Sequence, residues 1–224
     1  MSTTTPTLQA TRAMIAGGML SLAVAATAFV AWGHSNNWQF AQISTYRIFP
    51  LFGLLAFSLL WAQYMVLAVC YWRRIDRKLM RRYFETSAFF VLLAIVLHPG
   101  LLVYQLWRDG FGLPPESYQK NFVGPGMGWV ATLGSISLFI FLAYELRRIF
   151  GDRPWWPWVA YASDVAMLLV FYHGLRLGDQ LHEGWFRGVW VVYGVLLVGA
   201  LVYIRGNAYL QYRRRIIKAK GDRA

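Results

Sequence analysis

The sequence has few charged residues and almost no cysteine. Only 14% of its 224 residues are charged, against roughly 25% in an ordinary soluble domain. The one cysteine, Cys70, excludes a disulfide scaffold and any metal site built from several thiolates. Hydrophobic residues make up 58%, which excludes an intrinsically disordered chain. So few charges could not cover so much apolar surface in water, and we therefore predict that most of the chain lies in lipid.

Long hydrophobic runs occur six times, and each is long enough for a membrane-spanning helix, which needs about 20 residues. They lie at about residues 13–33, 48–72, 86–107, 122–144, 155–175 and 188–204. A lipid-facing backbone has to satisfy its own hydrogen bonds, so runs of this length indicate helices. The alternation of polar and apolar residues that is typical of a membrane barrel is absent. The sequence predicts an all-α polytopic bundle of six transmembrane helices, forming one domain over 1–224.

Basic residues outnumber acidic ones, and the formal net charge is +12. They concentrate in the second-to-third connection, the fourth-to-fifth connection and the C-terminal tail at 207–224. The residues concerned are Arg73, Arg74, Arg77, Lys78, Arg81 and Arg82, then Arg147, Arg148 and Arg153, then Arg213, Arg214, Arg215, Lys218, Lys220 and Arg223. Positive connections stay in the cytoplasm, so we expect both termini there, in a bacterial plasma or inner membrane. We expect contact with anionic lipid and, because no separate basic domain exists, no nucleic-acid partner.

The two ends of the chain each allow a second interpretation. Arg12, the apolar run after it and the small residues at 26–28 also fit a cleavable signal peptide, but we expect the first span to be retained. The stretch 207–220 can continue the sixth helix into the cytoplasm. We expect a solvated basic tail there, with a partner-binding site as the alternative.

The four histidines, His34, His98, His173 and His182, all fall on the outer side in this topology. His98 and His173 stand inside apolar helices, where an ionisable residue is a functional hypothesis by default. Both helices run outward and place the two side chains at similar depth, so the imidazoles can face each other across a flat apolar group. Neutral imidazole is an axial ligand of haem iron, and bundle cores commonly hold cofactors. The alternative is that each makes an ordinary hydrogen bond between helices.

Short motifs accompany these histidines in a fixed order. They are Arg81-Arg82 before the third span, Leu97-His98-Pro99, Trp156, Tyr161, His173-Gly174, the stretches LGDQL at 177–181 and GWFR at 184–187, and Tyr203-Ile204-Arg205. With this order and spacing, residues 81–205 resemble the ferric reductase-like transmembrane domain. That haem b bundle is shared by ferric reductases, NADPH oxidases and the haem subunit of the periplasmic methionine sulfoxide reductase system.

The departures from that family limit what the resemblance implies. Members with two haems carry two histidines on the third and two on the fifth helix, about thirteen to fourteen residues apart. Here the inner positions hold Phe84 or Glu85 and Val159 or Ala160, so only the outer pair carries over. The resemblance implies one haem b, held by His98 and His173. No flavin or nicotinamide domain follows within these residues, so we expect a quinol or a redox partner protein to supply electrons.

Other polar residues are candidates for the same site. Arg108 and Arg176 can pair with haem propionates, since a guanidinium matches a carboxylate, or can anchor the helices at the head groups. Gln105 shares the helix face of His98 and can hydrogen-bond near the site. Asp164 lies nearly opposite His173 on its helix, and we expect a structural hydrogen bond, for instance to Gln63, with a proton relay as the alternative.

A metal site at the outer face is a separate hypothesis. His34, His182, Asp179 and Glu183 carry suitable ligand atoms, but their spacing is not tight. We therefore expect His34 and His182 to be solvated loop histidines.

We accordingly expect a membrane b-type haem protein for one-electron transfer, either a ferric reductase-like oxidoreductase or an electron-transfer subunit. Its acceptor would lie outside: a periplasmic enzyme, ferric iron or oxygen. The alternative is a haem-free six-helix transporter, sensor or assembly subunit, with Asp164 in coupling or gating. A haem-sized cavity between the third and fifth helices would favour the first hypothesis, and bulky side chains there would favour the second. The sequence does not separate electron transfer from haem sensing or haem handling.

Overall fold

The computed structural model describes residues 6–41, 43–117, 124, 126–146, 150–182 and 184–221. Within these ranges the regular structure is helical and contains no strand. Six of the described helices are long and apolar enough to cross a membrane. They are α1 (Pro6–Ser35), α2 (Thr45–Arg73), α3 (Arg81–Arg108), α4 (Gly128–Glu145), α5 (Trp156–Leu177) and α6 (Trp185–Gly221). The predicted six-helix, multi-pass membrane bundle is therefore confirmed.

The helix ends follow from local sequence. α2 ends where Arg74 adopts a left-handed conformation (φ 55°) and its N–H bonds back to the carbonyl groups of Cys70 and Tyr71, a common way to terminate a helix. α5 has a proline in its first turn, where the missing N–H costs nothing. α4 begins at Gly128. The predicted start of that span at residue 122 lies outside the described residues, as do Arg147 and Arg148 of the basic connection.

α6 is the longest of the described helices, at 37 residues. It passes the predicted end of the sixth span at residue 204 and continues to Gly221, so the stretch 207–220 extends the helix as expected. At 1.5 Å per residue the helix is roughly 55 Å long, well beyond the roughly 30 Å of a bilayer core. The side chains of Arg215, Lys218 and Lys220, and all of Arg223, lie outside the described residues.

α2 is the central helix and packs against α1, α3, α5 and α6. Its aromatic residues interlock with those of α6. The Phe57 and Trp190 ring centres are 4.1 Å apart, and Trp61 stacks on Tyr193 at 4.2 Å. Trp61 Nε1 also donates to the Tyr193 carbonyl oxygen at 2.8 Å. These contacts form the core that supports the site.

The α2–α3 and α4–α5 pairs are two antiparallel hairpins. Tyr46, at the start of α2, donates to Asp109 just after α3, and Tyr144, near the end of α4, packs against Trp156 at the start of α5. Since successive helices alternate in direction, the first residues of α1 and the last residues of α6 lie on the same side of the bundle. The gap between the two hairpins holds the candidate site.

Candidate functional site

A cavity of 1430 Å³ lies between the two hairpins. It is larger than the roughly 300–1,000 Å³ of typical small-molecule pockets. Side chains of α2 to α5 and Trp190 of α6 line it, and most of them are apolar, such as Phe57, Ile95 and Leu138. His98 and His173 are both part of the wall. A large apolar space with two imidazoles suits a large apolar ligand that contains a metal.

The two imidazole rings stand close to each other across this cavity. Their centres are 6.5 Å apart and their planes are nearly perpendicular, at 89°. His98 Nδ1 donates to the Phe49 carbonyl oxygen at 2.8 Å, and His173 Nδ1 donates to the Val130 carbonyl oxygen at 2.8 Å. Because a carbonyl oxygen only accepts, the proton is placed on Nδ1 and the lone pair of the neutral ring on Nε2. No hydrogen-bond partner of either Nε2 occurs among the described residues.

This donor set fits a haem with two axial histidines. Two imidazoles that bind one metal ion from opposite sides hold their nitrogens about 4 Å apart, since a histidine–metal bond is about 2 Å long. The ring centres are farther apart than these nitrogens, because each centre lies behind its own nitrogen. The observed separation of 6.5 Å between the ring centres agrees with this arrangement. A metal-binding histidine also commonly donates its other N–H to a backbone carbonyl, as both do here. The residues present therefore fit the group that the sequence predicts.

The other predicted haem-contacting residues divide into two groups. Arg176 lines the cavity, and its described hydrogen bond is a long contact of 3.8 Å to the Met127 sulfur. Gln105 and Arg108 are not part of the cavity wall. Gln105 is buried and donates to both carboxylate oxygens of Asp109, at 2.8 and 2.9 Å, and Arg108 lies 3.6 Å from the same carboxylate. Of the two arginines, only Arg176 is placed to meet a carboxylate in the cavity.

Asp109, just after the end of α3, accepts hydrogen bonds from Gln105 and Tyr46. The hydrogen bonds from Gln105 hold the pKa of Asp109 below its usual range, and the hydroxyl of Tyr46 adds to the effect. Tyr46 is itself part of the cavity wall. This cluster ties the start of α2 to the end of α3 at the mouth of the cavity.

Asp164 has different partners from the one expected. Gln63 donates to Ser87 instead, so the predicted Asp164–Gln63 bond is wrong. The Asp164 carboxylate accepts from the Arg205 guanidinium at 2.5 Å and from the Tyr64 hydroxyl at 3.0 Å. Arg205 lies on α6 and complements the negative charge, which an amide cannot do. Asp164 is not part of the cavity wall, in agreement with its predicted position opposite His173.

Arg205 makes two further contacts. It donates to the Ala160 carbonyl oxygen at 3.0 Å and stacks on the Tyr161 ring, 4.3 Å from its centre. The sequence contained a signal for this pairing. Asp164 is the one acidic residue within α5, and Arg205 is the one charged residue of α6 between Arg187 and Arg213.

The outer-face metal hypothesis gains no support. His182 contacts the Arg176 carbonyl oxygen at 3.3 Å and lies 4.0 Å from the Asp179 carboxylate. His34 is exposed at the end of α1, and Glu183 lies outside the described residues. In the part of the chain that the structure describes, no three side chains of histidine, cysteine, aspartate or glutamate cluster to hold a metal ion.

Sequence reasoning missed the residues that orient the histidines. Phe49 and Val130 act through backbone carbonyl groups, which no side-chain motif reveals. Gly53 and Gly134 lie directly against the imidazoles of His98 and His173. The signal that could have found them is a glycine four residues after each accepting carbonyl, in FPLFG at 49–53 and VATLG at 130–134.

Comparison of the chain with models of protein families, with curated proteins and with solved structures found no match.

Proposed function

We propose that this chain is a membrane b-type haem protein that transfers single electrons and holds one haem between His98 and His173. The observation that carries the proposal is the pair of imidazoles, 6.5 Å apart in a cavity of 1430 Å³, each with Nδ1 bonded to a helix carbonyl. When bound, a b-type haem supplies a one-electron redox couple. We also propose that residues 81–205 belong to the ferric reductase-like transmembrane domain that they resemble.

The residues of the chain have separate tasks in this proposal. His98 and His173 present the Nε2 lone pairs, and their Nδ1–H bonds fix the rings and raise their basicity as ligands. The apolar wall keeps water away. Arg176 provides a positive charge for a propionate at the cavity mouth. With the basic connections and tail in the cytoplasm, as the positive-inside rule requires, this mouth faces outward from a bacterial plasma membrane.

The partly buried ion pair between Asp164 and Arg205 supports a single haem. Counting thirteen residues back from His173 leads to Ala160, where the resemblance would place an inner ligand. The Arg205 guanidinium donates to the carbonyl of that residue and pairs with Asp164. We infer that electrons reach the haem from a quinol in the membrane or from a partner protein, and that they leave to an outer acceptor.

Bulky side chains in this space would favour the haem-free alternative, a transporter, sensor or assembly subunit. The open cavity between the hairpins favours haem over that alternative. The Asp164 charge is matched by Arg205, so it offers no separate support for coupling or gating.

The experiment is expression with haem supply and purification in detergent. We expect a Soret band that shifts on reduction, and its loss when His98→Ala and His173→Ala are combined. His34→Ala is the matched control, because His34 is exposed and is not part of the cavity wall. A purified protein without the band, or a band that survives in the double variant, would refute the proposal. Rapid reduction by a quinol analogue would separate electron transfer from haem sensing.

A further inference from the structure

Both hairpins present their histidine in the same way. His98 on α3 donates from Nδ1 to the carbonyl of Phe49 on α2, and His173 on α5 donates to the carbonyl of Val130 on α4, both at 2.8 Å. In each case the residue four positions after the carbonyl is a glycine that lies against the ring. A Cβ built on Gly53 would lie 2.7 Å from His98 Cε1 and 2.8 Å from its Nδ1. A Cβ on Gly134 would meet His173 at the same two distances.

The helix geometry explains why these two features occur together. In an α-helix the carbonyl of residue i points along the axis toward residue i+4, whose N–H it accepts. The second lone pair of that oxygen remains available to an outside donor. An imidazole that reaches it from a neighbouring helix has to lie beside residue i+4, where a side chain would block it. A glycine at i+4 therefore permits the hydrogen bond, and any larger residue would displace the ring.

We propose that Gly53 and Gly134 are positioning residues that hold the two imidazoles at their separation of 6.5 Å and their perpendicular orientation of 89°. Each ring is held between the carbonyl it donates to and the bare backbone of the glycine, so it can neither rotate nor retreat without losing the Nδ1 bond. The effect of the glycines on a haem spectrum rests on the proposed function. Their effect on the positions of the two imidazole rings does not depend on haem.

Perpendicular rings have a spectroscopic signature. If His98 and His173 hold a haem at the observed ring angle of 89°, the two imidazoles would interact with different iron orbitals and leave them close in energy, which would give the low-spin ferric form a strongly anisotropic electron paramagnetic resonance spectrum. Parallel rings separate the orbitals and give a narrower spectrum. The structure thus predicts the anisotropic type for the wild-type protein.

The test compares Gly53→Ala and Gly134→Ala with Gly199→Ala. Gly199 is a matched control, because it is also a helical glycine but a Cβ there would have no neighbour within 4 Å among the described residues. We expect Gly199→Ala to keep the wild-type spectrum. Gly53→Ala and Gly134→Ala should each lose the strongly anisotropic signal and weaken haem retention about 10- to 100-fold, as for other residues that orient metal ligands. Wild-type spectra in both variants would overturn the inference.

Two measurements keep the inference testable without haem. Nitrogen NMR of histidine-labelled apoprotein should show the rings of both His98 and His173 protonated on Nδ1, and Gly53→Ala should abolish this for His98 alone. If Gly53→Ala unfolds the protein, adding His98→Ala should restore the unfolding temperature, because the clashing ring is gone. A wild-type protein that binds no haem would refute the proposed function, while unchanged tautomers, or no rescue by His98→Ala, would refute the positioning role.

Discussion

Replacing Arg205 with methionine removes the ion pair with Asp164 and should destabilise the protein. The change leaves the Asp164 carboxylate with the Tyr64 hydroxyl as its remaining donor among the described residues. A hydrogen bond to a charged group contributes about 1.5–3 kcal/mol, and a cation stacked on an aromatic ring, as Arg205 is on Tyr161, adds about 0.5–1 kcal/mol. Arg205→Met should therefore lower the free energy of unfolding by about 3 kcal/mol. At roughly 2–4 °C per kcal/mol for a chain of this size, the unfolding temperature should fall by about 6–12 °C.

Thermal unfolding of the detergent-purified protein measures this effect. Arg213→Met is the matched control, because Arg213 is an exposed residue of the same helix, and we expect a change within about 0.5 kcal/mol. Combining Asp164→Asn with Arg205→Met should recover part of the loss, since no unpaired, partly buried charge remains. The reasoning would be refuted if Arg205→Met behaves like Arg213→Met, or if the double variant loses the sum of the two single losses.

Three further predictions concern single positions. Arg176→Gln should weaken haem retention severalfold, measured as haem per protein after gel filtration, whereas Arg108→Gln, outside the cavity wall, should leave it unchanged. Ser58 is fully buried and its Oγ has no partner in the described part of the chain, so Ser58→Ala should stabilise the protein by about 1 kcal/mol in thermal unfolding; destabilisation would contradict this. The pKa of Asp109 is held low mainly by Gln105, so Asp109 stabilises the protein above its unfolded-state pKa, and this stabilisation disappears as the pH falls through the folded-state pKa. Gln105→Leu should reduce that acid-side loss in unfolding temperatures measured from about pH 7 to pH 3.

The six helices could be predicted because membrane spans are encoded locally. An apolar run of sufficient length needs no knowledge of its neighbours, and its composition alone requires a helix in lipid. The helix ends were less predictable. α1 begins at Pro6, well before the predicted start at residue 13. A helix can continue through polar residues beyond the lipid core, so the apolar run alone does not mark its end.

The side-chain partners depend on which helix faces meet, and a single sequence predicts this only in part. The sequence predicts His98 and His173 as a facing pair because both interrupt apolar helices at matching depth, and the structure brings them to one cavity. Gln63 is a plausible partner of Asp164 from the sequence, but polarity alone does not say which polar neighbour Asp164 reaches. Its partners are Arg205, 41 residues away on α6, and Tyr64 on α2. Gly53 and Gly134 carry no chemical group, so only the packed helices show what their missing side chains permit.

The position of the histidines along their helices has an electrical consequence. His98 lies ten residues before the end of α3 and His173 four before the end of α5, so the redox centre we propose lies in the half of the membrane where these two helices end. The transmembrane voltage acts on a charge in proportion to the part of the field it crosses, at about 2.3 kcal/mol per charge per 100 mV for the full thickness. An electron that enters and leaves on this side moves into the field and out again, so its net displacement across the field is small. Turnover by this route would carry almost no current and would neither charge the membrane nor be slowed by it.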